Sequence, residues 1–115
     1  MNKKFFLTAV VFISSLICMS VQIKNAKTET VKVNGVCGLC KSTIEKAGNI
    51  PNETNVVWDS ISKTAVITYD AKQTSLDAIL KRIADAGYDN EKFKAPDDAY
   101  QNLHACCQYD RKTSP

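Results

Sequence analysis

The chain carries almost no surplus charge: 15 Lys and Arg stand against 12 Asp and Glu. Two of the basic residues, Lys3 and Lys4, lie at the extreme N-terminus, and without the first 20 residues the formal charge falls from +3 to +1. That balance excludes an electrostatic case for nucleic acid or for an acidic membrane surface as partner. Length is also scarce. About 90 residues beyond the N-terminal segment suffice for one domain with one modest core, and not for a deep cleft between two domains. No internal repeat or low-complexity stretch interrupts the chain, so nothing competes with a single-domain reading.

There is one long apolar run, Phe5 to Val21, broken only by Thr8, Ser14, Ser15 and Ser20. With Lys3 and Lys4 ahead of it, the run has the layout of a secretory signal peptide over residues 1–20, cut somewhere between residues 20 and 26. A membrane anchor is the rival, but the run is slightly short and rich in small polar side chains for the roughly 20 apolar residues a bilayer crossing needs. Cys18 raises lipidation, for which Ile17 is a poor preceding residue. Export implies a periplasmic or secreted protein that meets a membrane only through its signal.

Loss of that segment leaves four cysteines in two close pairs, Cys37 with Cys40 and Cys106 with Cys107. In an exported chain an even number suggests a disulfide framework. Each close pair would shut only a tiny loop and constrain the unfolded chain little. Pairing of one cluster with the other would stabilise more, so a stapled structural domain stays open.

Thr30 to Val33 alternates polar and apolar as a half-buried strand and stops at Asn34 and Gly35. From Cys40 the period changes: Cys40, Ile44 and Ala47 share a helical face, and Gly48 with Asn49 ends it. Asn55 to Trp58 and Thr64 to Tyr69 read as an antiparallel hairpin, with Trp58 as a packing residue. Ser75 caps a helix whose Leu76, Ile79, Leu80, Ile83 and Ala86 lie on one side, and Gly87 closes it. A weaker extended piece runs from Tyr88 to Lys94. The order is βαββαβ, an α+β ferredoxin-like sandwich with a four-stranded antiparallel sheet and both helices on one face. Its boundaries fall at about residues 28–95, followed by a Cys- and His-containing tail or short helix over residues 96–115.

Cys37-Gly38-Leu39-Cys40 falls in the loop between strand one and helix one. Gly35 and Gly38 would let the backbone fold sharply there, and a helix N-terminus favours thiolates. Two soft sulfurs without hard oxygen donors select copper(I), silver(I) or mercury(II) over magnesium or calcium. Zinc(II) is less well served, because a structural zinc site wants four ligands. The same spacing would also suit a thiol–disulfide oxidoreductase. The three prolines, Pro51, Pro96 and Pro115, are not placed for the proline loop of a thioredoxin-like fold.

From about Glu29 to Phe93 the chain resembles the heavy-metal-associated domain, the fold of copper chaperones and of the periplasmic mercury-binding protein. The resemblance rests on Val33-Asn34-Gly35, Cys37-x-x-Cys40, Val66-Ile67-Thr68-Tyr69-Asp70 and Gly87-Tyr88. It implies that Cys37 and Cys40 are metal ligands, that Tyr88 packs beside the metal loop, and that the role is binding and transfer without a catalytic step. The family loop usually reads Gly-Met-x-Cys. Here Gly35-Val36-Cys37 is one residue shorter and has no methionine, and Val36 is expected to replace it as the apolar prop beneath the loop.

The tail adds His104-Ala105-Cys106-Cys107. Pro96-Asp97-Asp98 looks like a helix start, with Tyr100, Leu103 and Cys107 along one side and His104 next to Cys107 at helical spacing. Cys106, Cys107 and His104 are therefore candidates for a second soft-metal site or for extra ligands at the first. The plain alternatives are an exposed histidine, a disulfide-forming pair or a partner-docking segment. The expectation is a monomeric, non-enzymatic carrier of one copper(I)-type ion that passes it by thiolate exchange to a metal-transport or efflux protein.

Overall fold

The computed structural model describes residues 23–115, so the signal segment expected over residues 1–20, Cys18 included, lies outside the described residues. The elements are β1 (Ala26–Lys32), α1 (Gly38–Gly48), β2 (Thr54–Asp59), β3 (Thr64–Asp70), α2 (Leu76–Asp85) and a short α3 (Asp97–Gln101). Two 3-10 turns follow, Ala105–Cys107 and Arg111–Thr113. No helix among the described residues is long and apolar enough to cross a membrane.

The sheet is antiparallel with order β1-β3-β2. Val31 pairs with Ala65 and Lys32 with Thr64, while Trp58 also faces Ala65 across the hairpin. Period-two alternation puts Val56, Trp58, Ala65, Ile67 and Tyr69 inward and leaves Val57 and Val66 on the open face. Strand β1 begins four residues before the predicted Thr30. Residues 26–30 show no apolar alternation and are held by pairing along β3, with Tyr69 donating its hydroxyl proton to Glu29 at 2.6 Å. Lys63 takes a positive φ of 58° in the hairpin turn, and the Asp59 carboxylate accepts from the Ser62 amide and hydroxyl.

Both helices cover the inner face. Cys40 and Ile44 from α1 meet Ile79, Leu80 and Ile83 from α2 over Val56, Trp58 and Ile67. Burying these side chains at about 25 cal/mol per Å² of apolar surface is what holds the two layers together. The Ser75 hydroxyl caps α2 by accepting from the Ala78 amide at 3.2 Å. Helix α1 starts at Gly38, not at Cys40: Cys37 is its extended N-cap, and the Lys41 amide makes the first helical bond to the Cys37 carbonyl. Gly38 and Leu39 are exposed, so this first turn left no burial pattern to read.

Three strands form the sheet where four were predicted. The chain after α2 does reach the free edge of β1, but it contributes one bridge, Val33 with Asn90. The physical reason is local. The Asn90 side-chain oxygen accepts from the amides of Lys92 and Phe93, and the Asn90 amide donates to the Phe93 carbonyl at 2.9 Å. That turn satisfies backbone groups a ladder would otherwise have used, and the strand ends where it begins.

The tail folds back on this frame. Tyr100 and Leu103 pack against the core and Cys107 and Tyr109 enter it, although Tyr100, Leu103 and Cys107 do not lie on one helix as predicted. Helix α3 stops at Gln101, and the Gln108 side-chain amide donates to the carbonyls of Gln101 and Leu103 beyond its end. The Tyr109 hydroxyl accepts from the Asp89 amide and donates to the Gly87 carbonyl, each at 2.7 Å.

Candidate metal centre

Cys37 and Cys40 sit at the junction of the β1 end and α1. Their Sγ atoms are 4.0 Å apart, well beyond the roughly 2.05 Å of a disulfide. Cys37 is half-buried at the rim, and Cys40 is fully buried, held there by its place on the inner face of α1 beside Ile44. The four cysteines of the described residues are all free thiols. The amides of Cys40 and Leu39, at the open end of the helix, face the Cys37 sulfur and hold its thiol below the ordinary value.

A third sulfur joins them. Cys107, in the 3-10 turn of the tail, is buried, and the Sγ atoms of Cys37, Cys40 and Cys107 all lie within 4.8 Å of one another. Among the described residues this is the group of three or more His, Cys, Asp or Glu side chains that converges closely enough to hold an ion. Burial, the hydrogen bond toward Cys40 and the Cys40 charge push the Cys107 thiol up to about 12.

Cys106 and His104 are not among the three converging side chains. Both are exposed. His104 precedes the 3-10 turn and accepts the Cys107 amide on its carbonyl at 2.8 Å, so the helical adjacency predicted for His104 and Cys107 is replaced by a backbone link. Tyr88 is buried beside the sulfurs. Burial, then the charges on Cys40 and Cys107, push its phenol far above the ordinary range, so it stands next to the cluster as a neutral hydroxyl.

The apolar floor of the loop differs from expectation. Val36 is 43% exposed and is not the prop; its carbonyl accepts from the Lys63 ammonium at 3.3 Å. Trp58 and Ile44 fill that place. A Cβ on Gly35 would come 2.8 Å from the Trp58 ring and 3.3 Å from Ile44, so the glycine permits the close approach. The indole nitrogen of Trp58 donates to the Val33 carbonyl at 2.9 Å and fixes the ring under the loop. Gly38 has open space around it and is not required by packing.

What the sequence reading missed is the clamp that positions Cys107. Asn34, three residues before Cys37, donates through its side chain to the Asp110 carbonyl and the hydroxyls of Thr113 and Ser114. Arg111 reaches Asp89, Asp97 and the Ala95 carbonyl. These partners lie so far apart in sequence that no local pattern signals them.

The sequence family described as heavy-metal-associated domain matches residues 30–89. Among solved structures the chain is similar to the CopZ metallochaperone at 27% identity and a TM-score of 0.52, over 56% of this chain and 98% of that one. No curated protein matches the chain at a significant level.

Proposed function

Because the chain belongs to the heavy-metal-associated domain family, we propose that it is an exported carrier of one soft metal ion, copper(I) being the ion its donors suit best. The observation that carries this reading is the convergence of the Cys37 and Cys40 sulfurs, 4.0 Å apart at the mouth of α1. Thiolates select soft ions, and a site this poor in oxygen donors discriminates against magnesium and calcium. Mercury(II) and silver(I) fit the same chemistry. Zinc(II) fits less well, because a structural zinc site wants four ligands and the loop supplies two.

Transfer follows from the unequal burial of the pair. Cys40 anchors the ion from inside, while the half-exposed Cys37, already biased toward thiolate, is where an incoming partner thiolate adds and from which the ion leaves. No covalent chemistry on the cargo is needed. Val36 and Leu39, 43% and 45% exposed, flank the loop as an apolar rim for a recipient, for which a metal-transport or efflux protein is the fitting class. The apolar run Phe5 to Val21 supports export to a periplasmic or secreted location, an oxidising space in which bound metal would protect the thiols.

The test is competition for copper(I) between the reduced chain and a chromophoric chelator. One ion per chain is expected, and none at that chelator strength for Cys37→Ser/Cys40→Ser. Unchanged stoichiometry in the double variant would sink the reading. The low Cys37 thiol would equally serve a thiol–disulfide oxidoreductase, which differs in predicting many turnovers of a model disulfide per chain.

A further inference from the structure

We propose that Cys107 is the third ligand of the same ion, so that the tail closes a three-thiolate site over the Cys37–Cys40 pair. This rests on the reading of Cys37 and Cys40 as ligands and extends it to a segment outside the matched residues 30–89.

Distance is the first argument. A first-row metal–thiolate bond of about 2.3 Å puts two sulfurs about 4.6 Å apart across a linear ion and about 4.0 Å apart around a trigonal one. The Cys37–Cys40 separation is 4.0 Å, and Cys107 brings all three sulfurs within 4.8 Å. The pair is set at the trigonal spacing, and a third sulfur lies within 4.8 Å of both.

The second argument is how Cys107 is held. Leu103 and Tyr100 pack on the core before it, and Tyr109 locks to the Asp89 amide and Gly87 carbonyl after it. Arg111 and the Asn34 contacts then fasten residues 110–114 to Asp89, next to Tyr88, and to Asn34, just before the metal loop. Cys106, the neighbouring thiol, is exposed and is not among the three converging sulfurs. The fold thus presents one of two adjacent cysteines to the site. The class of ligand is a thiophilic ion that accepts three sulfurs, copper(I) or mercury(II), and the tail becomes a clasp that must let go, or be replaced by a partner sulfur, for the ion to leave.

Metal-edge X-ray absorption of the full reduced chain loaded with one equivalent of copper(I) reads the sulfur count. Three sulfurs are expected in the wild type and in Cys106→Ser, and two in Cys106→Ser/Cys107→Ser. Two sulfurs in the wild type, or three in that double variant, would overturn the proposal. The wild-type count alone decides if removal of Cys107 loosens the tail. Failure of the underlying reading looks different: Cys37→Ser/Cys40→Ser would then still take up one ion.

Discussion

Arg111 grips the carboxylate of Asp89 with two nitrogens, Nε at 3.0 Å from Oδ2 and Nη2 at 2.8 Å from Oδ1. Asp89 follows Tyr88 at the candidate metal centre and its side chain is 1% exposed, whereas Arg111 lies in the tail. One ion pair therefore ties the tail to the wall of the candidate site. The Ala95 amide and the Ser114 hydroxyl satisfy the remaining lone pairs of the carboxylate.

Removing the guanidinium leaves a buried carboxylate without its counter-ion. Because Arg111 keeps a quarter of its own exposure, Arg111→Ala should cost about 2–3 kcal/mol, at or below the usual range for breaking a buried pair. Urea unfolding followed by Trp58 fluorescence measures it. A change within about 0.5 kcal/mol would show the clamp to be no stronger than a surface bridge.

The same pair sets an acid limit. Burial pushes the Asp89 carboxyl up, but the Arg111 guanidinium, the Ala95 amide and the Ser114 hydroxyl outweigh it and hold the group below the usual carboxylate range. A carboxyl with a folded value below its unfolded value of about 3.9 contributes fully above that pH and loses its contribution as pH falls through the folded value. Stability should therefore be flat from neutral pH to about pH 5 and fall steeply below about pH 4. Asp89→Asn should be less stable at neutral pH and show a shallower acid limb; parallel acid limbs in the two proteins would contradict this.

Gly87 takes a φ of +115°, and a Cβ there would lie 2.8 Å from Leu103 and 3.0 Å from the Ala99 carbonyl. Gly87→Ala adds backbone strain and pushes against the tail at once, so a loss of about 2–3 kcal/mol is expected. Hydrogen exchange should show faster exchange over residues 99–109 than in the wild type. Wild-type protection throughout the tail would mean that the chain absorbs the methyl group elsewhere.

Thiol reactivity should separate the cysteines. Cys37, held low by the Cys40 and Leu39 amides and reachable from solvent, should alkylate with a midpoint below the ordinary thiol value of about 8.5. Cys107, buried and pushed up to about 12, should resist until the tail opens. Stopped-flow alkylation with site-resolved mass spectrometry gives the order, and faster labelling of Cys107 than of Cys37 would contradict the geometry.

The elements with a clean period were legible in the sequence. Ile79, Leu80 and Ile83 mark α2, and the alternation around Val56, Trp58 and Ile67 marks the hairpin, because each pattern reports burial on one face. Cys37-x-x-Cys40 at the strand-to-helix junction was legible for the same reason: the change of period at Cys40 locates it. The missing fourth strand was not, since the Asn90 side chain competes with a ladder through bonds no hydropathy pattern carries. Nor was the place of Cys107, which depends on contacts from Asn34 to Ser114 and from Asp89 to Arg111, far apart in sequence and fixed only by tertiary folding. Val36 misled by being apolar and adjacent, whereas Trp58, 22 positions beyond it, fills the space under the loop.

The most direct test of the metal-carrying role is a brief alkylation of the reduced chain with and without one equivalent of copper(I), read cysteine by cysteine. Cys37 should be labelled in the metal-free protein and protected once the ion is added, while the exposed Cys106 is labelled equally in both. Equal labelling of Cys37 in the two samples would contradict the assignment of the ion to this loop.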